Sequence, residues 1–457
     1  MREIKLHDTL SGGLVPLRPR EPGKLGIYAC GPTVYSRIHI GNARPFVIFS
    51  LLKRFLEHEG YTTTLVINVT DVNDKIYDAA RPLGHPSEEL AAQMTACYRV
   101  DTDALGLGRP DHEPLASETI GPIIDYIQTL IVGGHAYCVD GDVYFRVRSD
   151  PGYGSLSHRQ LENMDQGEGA ASDPLSERKQ DPLDFALWKA HKPGEDTSWA
   201  APWGTGRPGW HIECSAMAEE FLGVGFDVHG GGSDLVFPHH ENEAAQTRAA
   251  RGAELTKLWM HNGMIQFTGE KMAKSVGNIA LLHEVLGEYG SEAVVMYLIS
   301  GHYRQPLAFS EAALEQAQAN VNRIREAGRR LGPGPTSYRD TTDEQHVQSF
   351  STGFFDALAA DFNTPLALAN LWEWIRGAGH LGVTGDRDLG EMLTVIGLES
   401  LLRPDDEAPE QVSDLAMQRE LARRERDFAA ADRLRDEIAA LGWEIRDGAG
   451  GFELIPL

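Results

Sequence analysis

The feature that most constrains the fold is a strand–turn–helix–strand pattern near the start of the chain. Residues 25–30 form a short apolar run that ends at a Gly-Pro turn, which is typical of a β-strand. An apolar stretch with helical spacing follows at residues 45–59, and residues 62–69 are rich in the β-branched side chains that strands favour. Two strands joined through a helix indicate a parallel unit, so we predict an α/β fold built on a Rossmann-like parallel sheet.

The pattern of helical and strand-like segments predicts how far this α/β domain extends. Alternating helical and strand-like segments continue to about residue 300, except around 150–200, where Gly, Asp, Ser and Glu dominate and periodicity is weak. We interpret that stretch as part of an insertion at about 121–200 within one α/β domain at 1–300. Residues 226–229 are predicted to form a further strand, and the glycines after it a loop.

Two further domains are predicted downstream. Helix-forming sequence predicts a helical bundle over residues 301–402, and the Pro- and acid-rich residues 403–413 predict a linker. The tail is predicted to form a small α+β domain at 414–457, in which one long helix over 414–441 precedes a hairpin that turns at Asp447-Gly448.

Charge and cysteine content limit the functions and locations that fit this chain. It has 42 Lys and Arg against 67 Asp and Glu, a formal charge of −25, which argues against loose, non-specific nucleic-acid binding. A local basic surface remains compatible with that charge, because salt screens electrostatic fields within about 10 Å. No apolar run is long enough to span a membrane, and the first residues lack the apolar core of a secretory signal. The four cysteines are too scattered for a disulfide framework, so we expect a cytoplasmic protein that does not engage a membrane.

Neither of two common glycine patterns indicates a phosphate-binding loop in this chain. The P-loop pattern Gly-x-x-x-x-Gly-Lys-[Ser/Thr] does not occur in the sequence. Residues 204–209 match the dinucleotide pattern Gly-x-Gly-x-x-Gly, but no strand precedes them and Pro208 fits badly with a helix start. We therefore treat that match as a coincidence.

A better phosphate site is the segment His39-Ile40-Gly41-Asn42, which lies between the first strand and the apolar helix. The N-terminus of a helix offers free N–H groups and a positive dipole end to a phosphate. Gly41 would let a nucleotide approach the backbone, and His39 could donate a hydrogen bond to phosphate oxygens. On these residues alone, a capped helix start with an incidental histidine is the simpler interpretation.

A polar segment at residues 271–275 presents two lysines three residues apart, Lys271 and Lys274. Two ammonium groups at this spacing could neutralise charge on a phosphate undergoing substitution and on a leaving pyrophosphate. The alternative is a solvated turn, which is what most lysine-rich turns are.

Four side chains could form a metal site if the fold brings them together. Two of them, His239 and Glu243, are i and i+4 on a predicted helix and so face the same side. The other two are the cysteines Cys30 and Cys214. Strand ends and helix starts of one parallel sheet converge at its carboxyl edge, where ligands bind. Spacing alone supports this weakly, since free cysteines are usually small buried residues, as we expect for Cys97 and Cys138.

The predicted tail helix is rich in arginine. Two interpretations fit equally: a solvated amphipathic helix with i,i+4 ion pairs, or a surface that contacts RNA. The arginines concerned are Arg419, Arg423, Arg424, Arg426, Arg433 and Arg435.

Taken together, these segments resemble the class I aminoacyl-tRNA synthetases. Residues 39–42 resemble the HIGH signature of that family, and residues 271–275 resemble its KMSKS signature. The resemblance is to the cysteinyl-tRNA synthetases in particular, through YACGPTVY at 28–35, NVTDVNDK at 68–75, GWHIECS at 209–215, HGGGSDL at 229–235 and FPHHENE at 237–243. The matches run in order along essentially the whole chain.

The resemblance implies an ATP-dependent enzyme with L-cysteine, ATP and tRNA-Cys as partners, commonly a monomer. It makes 1–300 a catalytic domain and 414–457 an anticodon-binding domain, and it implies one zinc ion per chain and Mg²⁺ with the ATP. The implied zinc ligands are Cys30, Cys214, His239 and Glu243. The implied residues around the amino acid are Cys30, Gly31, Thr33, Trp210, His229 and Asp234. The implied ATP-binding residues are His39, Gly41, Asn42, Gly230, Asp234 and Lys274, and the implied catalytic residues are His39, Asn42, Lys271 and Lys274.

Three positions depart from the family pattern. Asn42 replaces the second histidine of HIGH; an amide still donates a hydrogen bond but never carries charge. Ala273 replaces the serine of KMSKS, and both lysines remain. Asn73 stands where the family usually has aspartate, and the sequence alone offers no account of it.

Two alternatives remain at this stage. The cysteine ligase of mycothiol synthesis shares the adenylating domain and the zinc site but joins cysteine to an amino sugar, and it resembles a synthetase without the tRNA-binding tail. The tail at 414–457 and the run Thr33-Val34-Tyr35 favour the synthetase. A non-catalytic cysteine-binding or structural zinc protein is disfavoured because His39, Lys271 and Lys274 are all present.

Overall fold

The computed structural model describes residues 2–161, 178–267, 270–271, 280–402, 410–424, 426–448 and 451–456. The chain forms two compact units, Met1–Leu401 and Leu402–Leu457. The finer domain boundaries given above stay predictions. Among the described residues, no helix is both long enough and apolar enough to cross a membrane.

The described strands are numbered in chain order. They are β1 Lys5–Asp8, β2 Gly13–Pro16, β3 Lys24–Ala29, β4 Thr62–Ile67, β5 Ala136–Val139, β6 Asp142–Phe145, β7 Phe185–Ala190, β8 Gly206–Pro208, β9 Val228–Gly232, β10 Trp259–Asn262, β11 Ile265–Phe267, β12 Glu270–Lys271, β13 Leu307–Phe309, β14 Trp443–Gly448 and β15 Gly451–Pro456.

The described α-helices are numbered in the same way. They are α1 Ile40–His58, α2 Asp74–Ala80, α3 Ser87–Asp103, α4 Ile120–Val132, α5 Trp210–Leu222, α6 Glu241–Arg251, α7 Leu282–Tyr289, α8 Ser291–Ile299, α9 Glu311–Leu331, α10 Thr341–Ala359, α11 Thr364–Leu381, α12 Arg387–Val395, α13 Glu410–Arg424 and α14 Phe428–Ala440.

A parallel four-stranded sheet lies at the centre of the first unit, in the order β10-β9-β3-β4. Helix α1 connects β3 to β4, the crossover that two parallel neighbouring strands require. Its apolar side is buried, including Phe49 and Phe55 at 0% exposure. The predicted α/β fold with a parallel sheet is therefore confirmed, although α1 begins at Ile40, earlier than the predicted residue 45.

The strand predicted at 226–229 is displaced, because β9 runs over Val228–Gly232 and includes the three glycines that were expected to form a loop. A Cβ on Gly230 would meet the ring of Phe49 and the carbonyl oxygen of Met260. The glycine thus lets β9 pack closely between α1 and β10, a role that a strand glycine often has.

Strands β5 to β8, which follow α4 and precede α5 along the chain, form a second, antiparallel four-stranded sheet. Its core includes Phe145, Leu187 and Trp188, all at 0% exposure, which pack with α4. The sheet reaches Pro208, beyond the residue 200 at which the predicted insertion ends. The chain then turns directly into α5, which returns to the parallel sheet.

The second unit corrects two predictions. The single helix predicted over 414–441 is wrong, since α13 ends at Arg424 and α14 begins at Phe428. Arg426 has a positive φ of 66°, and the Asp427 side chain caps α14 by accepting from the Ala430 N–H at 3.0 Å.

The predicted terminal hairpin exists as β14 and β15, but its turn is not at Asp447-Gly448. Both residues lie in β14, where Gly448 pairs with Gly451. The hairpin packs on α13 and α14 through a small core that contains Val412, Ile438 and Trp443.

Candidate active site

Four potential metal ligands converge at the carboxyl edge of the parallel sheet. Cys30 directly follows β3, and Cys214 lies in the second turn of α5. His239 lies in a wide turn over Val236–His240 that leads into α6, and Glu243 lies in the first turn of α6. The α-helix begins at Glu241, later than the predicted helix start, because residues 236–240 are wound more loosely.

The donor atoms of these four residues all lie within 4.8 Å of one another, and all four residues are buried. The Cys30 and Cys214 sulfurs are 3.7 Å apart, and His239 Nε2 is 3.1 Å from Glu243 Oε1. Two sulfurs, one imidazole nitrogen and one carboxylate oxygen form a donor set that could hold a metal ion, and it is a set that suits zinc.

Burial acts against the charged forms of these donors. It raises the pKa of the Cys30 thiol and of the Glu243 carboxyl well above their ordinary values, and it lowers the pKa of the His239 imidazole well below its own. Buried thiols and carboxyls of this kind are stable as anions only beside a positive charge. A divalent cation at the centre of the cluster would supply that charge.

A second set of donors overlaps the first and was not found from the sequence. Cys30 and Glu243 also lie within 4.8 Å of His229 and His240, both buried. His240 Nε2 is 3.2 Å from the Cys30 sulfur, and His229 Nε2 is 2.9 Å from Glu243 Oε2. The signal in the sequence was the adjacent pair His239-His240, but spacing alone does not tell which of the two faces the cluster.

Two more histidines support the cluster from behind, and sequence reasoning gave them no role. His211 Nδ1 lies 2.9 Å from His239 Nδ1, and His261 Nε2 lies 2.7 Å from His240 Nδ1. His261 in turn contacts the hydroxyl of Thr9 at 2.7 Å through its Nδ1. Hydrogen bonds to the far nitrogen of a ligating imidazole fix its ring orientation and tautomer.

The residues predicted around the amino acid lie at different depths in the fold. The Trp210 ring stacks on His239 with centroids 4.1 Å apart, and Asp234 is exposed in the turn after β9. Thr33 forms a parallel bridge to Thr70, and the Gly31 N–H donates to Asn68 Oδ1 at 3.0 Å. His229 is fully buried and lies behind Glu243, so its substrate-binding role stays a prediction.

The segment predicted to bind ATP forms the start of α1. His39 is the N-cap residue, and its backbone N–H donates to Asn42 Oδ1 at 3.2 Å. Asn42 is exposed, and its side-chain oxygen is engaged by that N–H. A Cβ on Gly41 would meet the ring of His39 2.8 Å away, so glycine here leaves room for that ring.

The remaining predicted nucleotide residues are placed less fully. Gly230 lies in β9, where packing against Phe49 already accounts for a glycine. The backbone of Lys271 pairs with Gln266 across β11 and β12. Lys274 and Ala273 lie outside the described residues, as does the side chain of Lys271.

The structure also describes Asn73, the two remaining cysteines and two of the tail arginines. Asn73 caps α2, since its side chain accepts from the Lys75 N–H at 3.1 Å. Cys97 is half-buried, and Cys138 is exposed, so the expectation that both are buried is wrong for Cys138. In the tail, the buried Arg419 and the more exposed Arg423 both pair with Asp447 of β14, and RNA contact there stays a prediction.

Comparison with known proteins places this chain among tRNA synthetases. The family profile described as the class I (C) tRNA synthetase catalytic domain matches residues 16–319. The cysteine–tRNA ligase of Halorhodospira halophila is 44% identical over 98% of this chain and 98% of its own length. The cysteine–tRNA ligase of Geobacillus thermodenitrificans is 42% identical over 99% of this chain and 98% of its own length.

Solved structures share the fold at low sequence identity. Mycobacterium tuberculosis methionyl-tRNA synthetase bound by methionyl-adenylate superposes with a TM-score of 0.60 at 15% identity, over 83% of this chain and 90% of that one. A leucyl-tRNA synthetase complex from Agrobacterium radiobacter gives 0.58 at 12% identity, over 84% and 83%. These likenesses support the fold alone.

Proposed function

The chain belongs to the cysteine–tRNA ligase family of class I tRNA synthetases, and from that membership and its site we propose how it acts. It activates L-cysteine with ATP: the cysteine carboxylate attacks the α-phosphate, and pyrophosphate leaves, giving cysteinyl-adenylate. A hydroxyl of the terminal ribose of tRNA-Cys then attacks the cysteinyl carbonyl, and AMP leaves. The observation that carries this proposal is the buried Cys30, Cys214, His239 and Glu243 cluster at the carboxyl edge of the sheet.

One zinc ion per chain is the metal that this donor set favours, because two thiolates with an imidazole and a carboxylate match its softness and its preference for four ligands. Bound there, zinc would supply a Lewis acid that prefers the thiolate of cysteine over the hydroxyl of serine. The chain contributes the four ligands and, through His229 and Glu243, the hydrogen bond that holds the carboxylate in place.

Binding of the amino acid depends on residues that open onto the cluster. Trp210, half-buried and stacked on His239, provides an apolar face beside the sulfur site. Thr33 lies at the same sheet edge, and exposed Asp234 offers a carboxylate for the ammonium group of the substrate. Gly31 keeps the end of β3 close to the end of β4, because any Cβ there would meet the Asn68 carbonyl.

The phosphates of ATP, with their Mg²⁺, are assigned to the start of α1. The dipole of this 19-residue helix favours an anion at its N-terminus. His39 and Asn42 donate hydrogen bonds there, and Lys271 and Lys274 neutralise charge on the α-phosphate and pyrophosphate. Catalysis then consists mainly of positioning and charge stabilisation.

Transfer to tRNA is assigned in preference to transfer to an amino sugar. The cysteine–tRNA ligase relatives cover 98–99% of this chain, so the match includes the terminal α13–β15 unit. The exposed arginines of that unit, Arg424, Arg426, Arg433 and Arg435, are candidates for anticodon contacts. The scattered free cysteines suit a cytoplasmic enzyme, and we expect it to act as a monomer.

The experiment is charging of total tRNA with labelled cysteine in the presence of Mg-ATP, with labelled serine as the control. Cysteine-specific charging is the expected result. Cysteine-dependent ATP–pyrophosphate exchange without charging would point to an amino-sugar ligase. Absence of both activities in zinc-replete protein would refute the proposal.

A further inference from the structure

One buried charge is not used by the proposed reaction. Arg44 lies in α1, two residues after Asn42, and its side chain is fully buried. Burial lowers the pKa of its guanidinium to about 10, so the group stays charged at neutral pH. Among the described residues, none offers it a carboxylate within ion-pair distance, the usual compensation for a buried charge.

Backbone carbonyls of two separate segments compensate the charge instead. Arg44 Nη1 donates to the Gly263 oxygen at 2.6 Å and to the Gln305 oxygen at 2.9 Å, and Nη2 donates to the His302 oxygen at 3.2 Å. A planar guanidinium can direct several donors at fixed angles, which a lysine ammonium on a flexible stem cannot reproduce. The side chain therefore joins these two segments to α1 at one point.

The first of these segments leads to a predicted catalytic lysine. Gly263 and Met264 connect β10 to β11, and Gln266 in β11 pairs with Lys271 in β12. The Gly263 carbonyl that Arg44 binds is thus three residues before the partner of Lys271. This junction is therefore close along the chain to the partner of Lys271, and α1 contacts it through Arg44.

The chain that follows the lysine segment, residues 271–275, is attached to the same end of α1. The Ile40 N–H donates to the Ala280 oxygen at 3.0 Å, and the Leu282 N–H donates to the Ile38 oxygen at 3.0 Å. Backbone hydrogen bonds therefore attach the chain after the lysine segment to α1. Before the lysine segment, the Arg44 side chain links the chain at Gly263 to α1.

The second segment makes the junction rigid. Gly263 donates its N–H to the Tyr303 oxygen at 2.7 Å, and β11 pairs in parallel with β13. A Cβ on Gly263 would collide with the Gln305 carbonyl, so the two backbones are in direct contact. Arg44 binds the carbonyls of both at this contact.

We infer that Arg44 is a positioning residue for adenylate formation: it fixes the β11–β12 hairpin, which carries Lys271, against the helix end that carries His39 and Asn42. This inference rests on the proposed function. It assigns Arg44 an effect on the rate of the chemical step, separate from zinc binding, because none of its contacts reaches the Cys30 cluster.

The test compares Arg44→Lys and Arg44→Gln with a matched control on the same helix, Arg54→Lys. Arg54 also donates to backbone carbonyls, those of Thr394 at 3.0 Å and Leu107 at 3.2 Å, but these lie away from the lysine segment. Glutamine at 44 removes the buried charge and its desolvation cost and keeps one amide donor, so it provides a second variant if lysine is poorly accommodated.

Cysteine-dependent ATP–pyrophosphate exchange gives kcat and the KM values for ATP and cysteine; zinc content and Tm are measured on the same samples. Both Arg44 variants should lose kcat by about 10²-fold, the effect of a displacement near 1 Å, with zinc content and cysteine KM unchanged. Arg54→Lys should keep kcat within about threefold while its Tm falls, because the contacts it weakens, which include the ion pair with Glu399 at 2.9 Å, serve stability and not the chemical step.

The inference is overturned if either folded Arg44 variant keeps the wild-type kcat, or if the Arg54 control loses as much. Parallel loss of zinc and of kcat would also overturn it, since it would show a general structural role. Wild-type protein that exchanges no pyrophosphate would instead refute the proposed function, and the inference would fall with it.

Discussion

Replacing Cys214 with serine tests the metal site most simply. Cys214 is 1% exposed, and its sulfur lies 3.7 Å from that of Cys30. Serine is nearly the same size, so α5 should pack as before, but a hydroxyl is not deprotonated at neutral pH and is a poor zinc ligand. The change therefore removes one donor of four with little change in volume.

The magnitude follows from the ligand count. Structural zinc binding is worth roughly 10–16 kcal/mol at neutral pH, which over four ligands is about 2.5–4 kcal/mol for each. At 1.4 kcal/mol for each factor of ten, loss of one ligand should weaken zinc binding by roughly 10²–10³-fold. Purified Cys214→Ser should then hold far less than one zinc per chain after exposure to a chelator that leaves wild type loaded.

The assay is elemental analysis after gel filtration, followed by chelator competition to give relative affinities. Cys138→Ser is the matched control, because Cys138 is exposed on β5 and outside the cluster. It should bind zinc as wild type does. If Cys214→Ser retains one zinc at the wild-type affinity, the ligand assignment is wrong and the alternative set with His229 and His240 would take precedence.

Three further outcomes are expected. Asn42→Ala should lower the kcat of pyrophosphate exchange by about 10²-fold, whereas Asn42→His should stay within about tenfold of wild type, because both amide and imidazole donate at the helix start; equal activity of Asn42→Ala and wild type would refute a role in phosphate binding. Burial alone would raise the pKa of Glu59, but the backbone N–H and guanidinium of Arg2 more than offset this and lower it, so the stabilisation is present above the ordinary glutamate pKa and is lost as pH falls through the lowered value. Urea denaturation should thus show Glu59→Gln less stable by about 1–3 kcal/mol at pH 7 and the difference shrinking below about pH 4, whereas a constant difference would contradict the assignment. Gly230→Ala should lower the free energy of unfolding by about 1–3 kcal/mol in thermal denaturation, because its Cβ would meet Phe49 and the Met260 carbonyl; an unchanged Tm would refute that packing role.

Local periodicity was enough to predict the parallel sheet, because β3, α1 and β4 follow one another along the chain and pair directly. It failed where tertiary packing sets the conformation. The glycines of β9 look like a loop in sequence, yet close contact with Phe49 makes them a strand. The tail contains neither Gly nor Pro between residues 414 and 440, so nothing in its composition indicated the break that Arg426 and Asp427 produce.

Spacing alone could not predict the cluster of potential metal ligands, for a similar reason. Cys30 and Cys214 are 184 residues apart, and only the fold brings β3 and α5 to the same edge of the sheet. The resemblance to the cysteinyl-tRNA synthetases linked them; composition did not. The histidines behind the cluster were missed because His211 and His261 lie on different elements and contact it only in three dimensions.

The central claim is that the buried Cys30, Cys214, His239 and Glu243 cluster selects cysteine for activation. The measurement that tests it most directly is the ratio of kcat/KM for cysteine over serine in ATP–pyrophosphate exchange by zinc-replete protein. Selection by a metal ion that prefers the thiolate of cysteine predicts a ratio above about 10⁴. Sites that recognise one functional group through a dedicated partner reach this range. A ratio near about 10², which pocket shape alone can give, would contradict the account.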